Sequence, residues 1–279
     1  MSVLEAILLG ILQGLTEFLP ISSSGHLQLV TWLADWEPFQ GDPSLWTAFE
    51  VALHVGTLAG VLAFFGREVV GLVAAGARQV VGRRSPEGRR AWLLVLATVP
   101  AAIVGVAAGA ALERNERVWV TGCTLAVFGV WLWWADRRSG TRPDAVLDGS
   151  DAVALGVSQA LALVPGVSRS GAIMTAARLR GHSRLEAARV AMLMSVPVIA
   201  GAAVYKLIDL GGWSGIPAEA RPAFIWGTLA AALSGWAAVA LLVALVRRVD
   251  FAPFALYRVA LGVSVLVLMA TSFRNTPWV

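Results

Sequence analysis

Long apolar runs separated by short, arginine-bearing segments set the pattern of this chain. Six of them, at about residues 45–65, 91–112, 118–135, 186–208, 223–246 and 253–272, approach or exceed the roughly 20 apolar residues that a helix needs to cross a bilayer core. Each predicts a transmembrane helix. Two further apolar stretches, 3–34 and 152–183, are interrupted midway by Pro, Gly and a cluster of Ser, so neither offers an unbroken span. Both predict re-entrant helix–loop–helix hairpins.

The two interrupted stretches resemble each other. Residues 10–25 read GILQGLTEFLPISSSG and residues 156–171 read GVSQALALVPGVSRSG; at a constant offset of 146, Gly10, Gln13, Ser22, Ser24 and Gly25 fall on Gly156, Gln159, Ser168, Ser170 and Gly171. Pro20 and Pro165 miss by one position. Chance matching in a chain rich in small residues is the competing explanation. The expected architecture is an all-α integral membrane protein, one polytopic domain over 1–279. Its six transmembrane helices and two re-entrant hairpins form an inverted-topology repeat, the first copy about 1–135 and the second about 150–272.

Composition supports the bilayer as solvent. With 57% hydrophobic and 14% charged residues and a mean hydropathy of +0.71, the chain is too apolar for a soluble domain or for disorder. The net charge of +4 comes from basic residues that are all Arg except Lys206, scattered in short loops. That distribution suits topology signals and lipid headgroups and argues against nucleic acid. Cys123 stands alone, which excludes an intramolecular disulfide and a Cys-based zinc site. The opening MSVLEAILLGILQG lacks a basic n-region and a small-residue cleavage site, so it is expected to be retained.

Loop charges orient the chain. Arg67, Arg78, Arg83, Arg84, Arg89 and Arg90 follow the first crossing, Arg137, Arg138 and Arg142 the third, and Arg247 and Arg248 the fifth. The opposite side carries mainly Arg114, Arg117, Arg221 and Arg274. The positive-inside rule makes the first set cytoplasmic and puts both termini outside. Trp32, Trp36, Trp46, Trp119, Trp213 and Trp278 then fall near the outer face and Trp92, Trp133 and Trp134 near the inner one. The first hairpin enters from outside, the second from the cytoplasm.

Irregular backbone at membrane depth is tolerated where it is buried in protein or lines a wet cavity, so the two breaks predict a site. Ser22, Ser23, Ser24, Gly25 and His26 form one break and Ser168, Arg169, Ser170 and Gly171 the other. Each precedes a plausible helix start, where free N–H groups and the dipole favour an anion. Arg169 adds a planar fork suited to phosphate oxygens. Glu17, with Gln13 one turn earlier, is an ionisable group at depth; it would either hold a divalent cation or handle a proton, or merely pair with Arg169. His26 and Ser23 are close enough in sequence to cooperate as base and nucleophile. Glu50 with His54, and Glu186 with Arg189, are weaker candidates that helix-to-helix hydrogen bonding explains equally well. Asp151 reads as an N-cap, and His182, in a basic loop, as solvated.

QGLTEFLPISSSGH (13–26) and PGVSRSG (165–171), in a chain of this length and hydropathy, closely resemble the bacterial undecaprenyl-diphosphate phosphatases, the bacitracin-resistance family. The resemblance runs over essentially the whole chain. It implies hydrolysis of undecaprenyl diphosphate to undecaprenyl phosphate and inorganic phosphate, recycling the lipid carrier of cell-wall synthesis at the outer face of the bacterial cytoplasmic membrane. It also implies a divalent metal, Mg²⁺ or Ca²⁺, with Glu17 and Gln13 as ligands. The family's motifs fall on Gln13 and Glu17, on Ser22, Ser23, Ser24 and His26, and on Ser168, Arg169 and Ser170. Ser23, His26, Glu17 and Arg169 are the expected catalytic set; Ser22, Ser24, Gly25, Ser168, Ser170 and Gly171 are expected to bind substrate. Many members carry a second glutamate where this chain has Gln13, so the metal site would have one carboxylate. Expected partners are the lipid substrate and the bilayer, with a homodimer as one allowed assembly. Ser23, His26 or water could attack phosphorus. A transporter or flippase of a polyprenyl phosphate, or a lipid-binding scaffold, are the competing functions, since broken helices in inverted repeats also build carriers.

Overall fold

A computed structural model describes residues 1–113, 117–138 and 147–271. Among them are eleven α-helices: α1 (Val3–Glu17), α2 (Ser23–Ala34), α3 (Pro43–Val80), α4 (Pro86–Leu96), α5 (Val99–Glu113), α6 (Val118–Asp136), α7 (Gly149–Leu161), α8 (Arg169–Leu179), α9 (Arg184–Asp209), α10 (Arg221–Leu245) and α11 (Ala252–Ala270). Arg114, Arg142, Arg274 and Trp278, used above to orient the chain, lie outside the described residues. Six spans are long and apolar enough to cross a membrane: α3, Pro86–Ala107, α6, α9, α10 and α11. The chain is a multi-pass, all-α membrane bundle. Helices α1, α2, α7 and α8 have 15, 12, 13 and 11 residues, too short to span a core of about 30 Å at about 1.5 Å per residue.

Two crossings differ from their sequence outlines. The first apolar run ends near residue 65, but α3 continues to Val80, because REVVGLVAAGARQV contains no proline and a helix outlasts its apolar face. The second is split between α4 and α5. Pro100 cannot donate to the carbonyl four residues earlier, and the nearby Ala97 carbonyl accepts instead from Gln159 Nε2 at 3.4 Å.

Small residues govern the helix seams. α1 packs on α10 and α10 on α3 through Gly10 and Gly14, Gly227, Ala231 and Gly235, and Gly56 and Gly60, each series spaced by four. A Cβ added at Gly14 would lie 2.6 Å from the Gly235 amide nitrogen and 2.7 Å from the Ala231 carbonyl oxygen. Backbones in contact replace a hydrophobic drive that lipid does not supply. α6 pairs with α11 in the same manner, and α8 sits among α6, α7 and α9. Near one end of α6 the buried Asp136 accepts from Arg178 Nε (2.9 Å), Arg184 Nε (2.9 Å) and the Phe251 amide (2.9 Å), tying four helices together.

Candidate active site

α1–α2 and α7–α8 are each a helix, a short turn and a second helix, and the second helix starts in the same way in both. Ser22 caps α2 with φ 75° and ψ 95°; Ser168 caps α8 with φ 71° and ψ 114°. Positive φ is costly for a residue with a Cβ. Each serine hydroxyl accepts from the glycine amide three residues on, Gly25 at 3.3 Å and Gly171 at 3.1 Å. Each also meets the hydroxyl two residues on, Ser24 at 3.5 Å and Ser170 at 3.2 Å. Ser23 and Arg169 therefore occupy the equivalent first position of the two helices.

The two turns touch. Arg169 Nη2 donates to Glu17 Oε1, and Ser170 Oγ donates to the Leu19 carbonyl at 3.1 Å. Glu17 Oε2 accepts from Ser23 Oγ at 2.6 Å and Gln13 Nε2 at 2.8 Å, and His54 Nε2 lies 3.3 Å from it. Glu17 and Gln13 are buried, while Ser23 and Arg169 are partly open and Ser24 is exposed. A carboxylate at this depth is tolerated because an opposite charge and several donors surround it. Beside the cluster, a cavity of about 60 Å³ is lined by Ser24, Gln28, Thr31, Trp46, Glu50 and Pro165.

His26 is held elsewhere. Its Nδ1 lies 2.7 Å from the Ser22 carbonyl, which can only accept, so a neutral ring presents bare Nε2 to the Tyr257 hydroxyl at 2.6 Å. The two rings are nearly parallel with centroids 5.6 Å apart. The Ser23 hydroxyl thus bonds to Glu17 and not to His26, and the anticipated serine–histidine pair is replaced by a serine–glutamate pair.

Divalent-metal binding by Glu17 and Gln13 is corrected. Among the described residues no group of three or more His, Cys, Asp or Glu side chains is placed to hold a metal ion. Both Glu17 oxygens are engaged by donors, and Gln13 turns its amide nitrogen toward the carboxylate. The residues present do not fit an Mg²⁺ or Ca²⁺ site. The weaker candidates divide. His54 reaches Glu17 and Glu50 lines the adjoining cavity, whereas Glu186 pairs with Arg90 at 2.5 Å and Arg189 with Glu68 at 2.8 Å. Asp148 is the cap of α7, and Asp151 closes its capping box. His182, expected in solvent, is buried 3.5 Å from Asp151, which also pairs with Arg180; the chain turns immediately before it at Gly181, whose φ is 86°.

Two residues that belong to neither serine motif complete the geometry. Arg258 of α11 is fully buried and donates to the carbonyls of Pro20 (3.3 Å), Gly166 (3.0 Å) and Val167 (2.7 Å), one guanidinium holding both turns. Tyr257 is its neighbour. A lone arginine inside an apolar span was the available signal.

Comparison with known proteins gives a consistent picture. The family model described as bacitracin resistance protein BacA matches residues 6–264. The Undecaprenyl-diphosphatase of Pelotomaculum thermopropionicum is 42% identical over 275 residues, covering 97% of this chain and 98% of that protein. That of Moorella thermoacetica is 44% identical over 271 residues, covering 96% and 98%. That of Elusimicrobium minutum is 42% identical over 268 residues, covering 96% and 98%.

Proposed function

This chain belongs to the bacitracin resistance protein BacA family, and from that premise we propose that it hydrolyses undecaprenyl diphosphate to undecaprenyl phosphate and inorganic phosphate. The observation that carries the reading is the meeting of Arg169, Glu17 and Ser23 at two helix starts, in a chain that aligns nearly end to end with Undecaprenyl-diphosphatases. The two broken units are read as re-entrant hairpins in an inverted repeat, supported by the matching caps at Ser22 and Ser168. Loop arginines support an outward-facing site in a bacterial cytoplasmic membrane.

In this reading the diphosphate competes with Glu17 for Arg169. Its oxygens are held by the guanidinium, by the first-turn N–H groups of α2 and α8, and by the exposed hydroxyl of Ser24, while the Ser170 hydroxyl stays on the Leu19 carbonyl and fixes one turn against the other. Loss of the arginine leaves the Glu17 carboxylate free to take the Ser23 proton along a hydrogen bond already 2.6 Å long. Ser23 Oγ forms a bond to the terminal phosphorus, and the bond from that phosphorus to the bridging oxygen breaks. The electron pair leaves on the lipid monophosphate, whose tail stays in the bilayer. Water then cleaves the phosphoserine, giving its proton to His26 Nε2 as the Tyr257 hydroxyl swings away; Glu17 returns the first proton to Ser23, and the imidazolium passes its proton to the departing phosphate. Positioning and charge neutralisation do most of the work in such transfers.

Phosphate release by the purified protein in detergent tests the reading, since a carrier without turnover releases none. Ser23→Ala should abolish both release and any trapped phosphoserine; full turnover in Ser23→Ala would remove the serine from the mechanism.

A further inference from the structure

Far from the serine turns, α3 and α4 border a second cavity of about 590 Å³, lined by Gln79, Arg84, Ser85, Pro86, Arg89 and Arg90, among others. That volume falls in the range of small-molecule sites. At about 1.5 Å per residue, the length of α3 from His54 to Gln79 separates it from the Glu17 cluster by roughly 37 Å. The two sites share no residue.

The lining is built for an anion. Ser85 caps α4, its hydroxyl accepting from the Gly88 amide at 3.0 Å, so the positive end of an 11-residue helix opens on the cavity. Glu87, the acid of that first turn, does not line it. Arg84 and Arg89 are exposed on the rim and form no ion pair with a described residue. Arg90 is only 8% exposed. Its Nη2 donates to Glu186 Oε1 at 2.5 Å, but Nε and Nη1, both buried, have no hydrogen-bond partner. Leaving buried donors of a charged group unsatisfied is costly. Glu186 balances Arg90, so the charges of Arg84 and Arg89 remain in surplus at the cavity mouth. A basic pocket between helices at a membrane surface is the arrangement that receives phosphate-bearing headgroups.

We infer that this cavity is a second binding site, for a phosphate group carried by an anionic lipid headgroup or free in solution, with Arg84, Arg89, Arg90 and the start of α4 as its donors. The site stands apart from the catalytic reading. Only its assignment to the cytoplasmic leaflet rests on the orientation proposed above.

The test uses the full-length protein, delipidated in neutral detergent and titrated under native mass spectrometry with phosphatidylglycerol, phosphatidylcholine and, separately, inorganic phosphate. Wild type should retain phosphatidylglycerol in preference to phosphatidylcholine. Arg84→Gln/Arg89→Gln, at exposed positions, should fold normally and weaken that retention about 25-fold, at about fivefold per arginine removed, while undecaprenyl diphosphate hydrolysis stays unchanged. Phosphate binding lost in the same variant, with the two lipids held alike, would identify free phosphate as the source. If wild type and variant hold all three probes equally, the cavity is not a phosphate site.

Discussion

The ion pair between Glu17 and Arg169 joins the two broken units, and its removal should separate folding from chemistry. The Glu17 side chain is 3% exposed and that of Arg169 20%. Arg169→Gln leaves a buried carboxylate that still accepts from Ser23 and Gln13, so its cost belongs at the low end of a broken buried pair, about 3 kcal/mol. Glu17→Gln leaves an arginine that reaches solvent, and should cost about 1–2 kcal/mol. The double variant strands no charge; it should cost about 2 kcal/mol, far below the sum of the two singles, giving a coupling of about 2–3 kcal/mol. Thermal unfolding in detergent, followed by tryptophan fluorescence, should show Arg169→Gln lowering Tm by roughly 6–12 °C and the double variant recovering part of it. All three variants should lose about 10²-fold or more in phosphate release, because in the proposed mechanism Arg169→Gln removes a transition-state donor and Glu17→Gln removes the base that takes the Ser23 proton. Additive stability costs, or normal turnover in Arg169→Gln, would refute the reasoning.

Other substitutions test the supports of the site. Tyr257→Phe removes the hydroxyl 2.6 Å from His26 but keeps the stacked ring; kcat should fall about five- to tenfold with an altered pH profile, KM and Tm holding steady. Arg258→Gln withdraws donors from three carbonyls in both turns and should cost about 3 kcal/mol or more, read as a lower Tm with a raised KM. Arg258→Lys should recover part of the loss. Gly14→Ala drives a methyl into the α10 backbone and should cost about 1–3 kcal/mol by thermal unfolding, whereas Gly66→Ala, whose methyl meets nothing within 4 Å, should be neutral.

Apolar run length was a sound guide to the six crossings, because the bilayer thickness imposes it on any sequence. It could not show that α3 outlasts its apolar run, since helix continuation depends on the absence of a breaker. Nor could it show that Pro100 splits the second crossing, since spans and helices are different units. Glu17 and Arg169 were legible as a meeting pair because a charge at membrane depth needs a partner. The bonds among Glu17, Ser23 and His26 were not legible. Local spacing suggested Ser23 with His26, whereas Tyr257, distant in sequence, takes the imidazole. Gln13 looked like a metal ligand until the orientation of its amide was known, and orientation is invisible in a one-letter code. His182 read as solvated because charged neighbours surround it in sequence, while the backbone turn at Gly181 folds it inward.

The serine caps carry a consequence for how the protein divides labour. The cradle occurs twice: Ser22 with Gly25 and Ser168 with Gly171 make the same cap hydrogen bond, with similar positive-φ backbone angles at the serine. Its reagents do not, for positions 17, 23 and 26 hold Glu, Ser and His, while their counterparts 163, 169 and 172 hold Leu, Arg and Ala. In the proposed mechanism one unit brings nucleophile and base, the other brings the cation, and neither alone owns a working set. On that mechanism, transplanting either unit over the other would preserve the seat and abolish the reaction, so the two units are alike in form and not interchangeable in use.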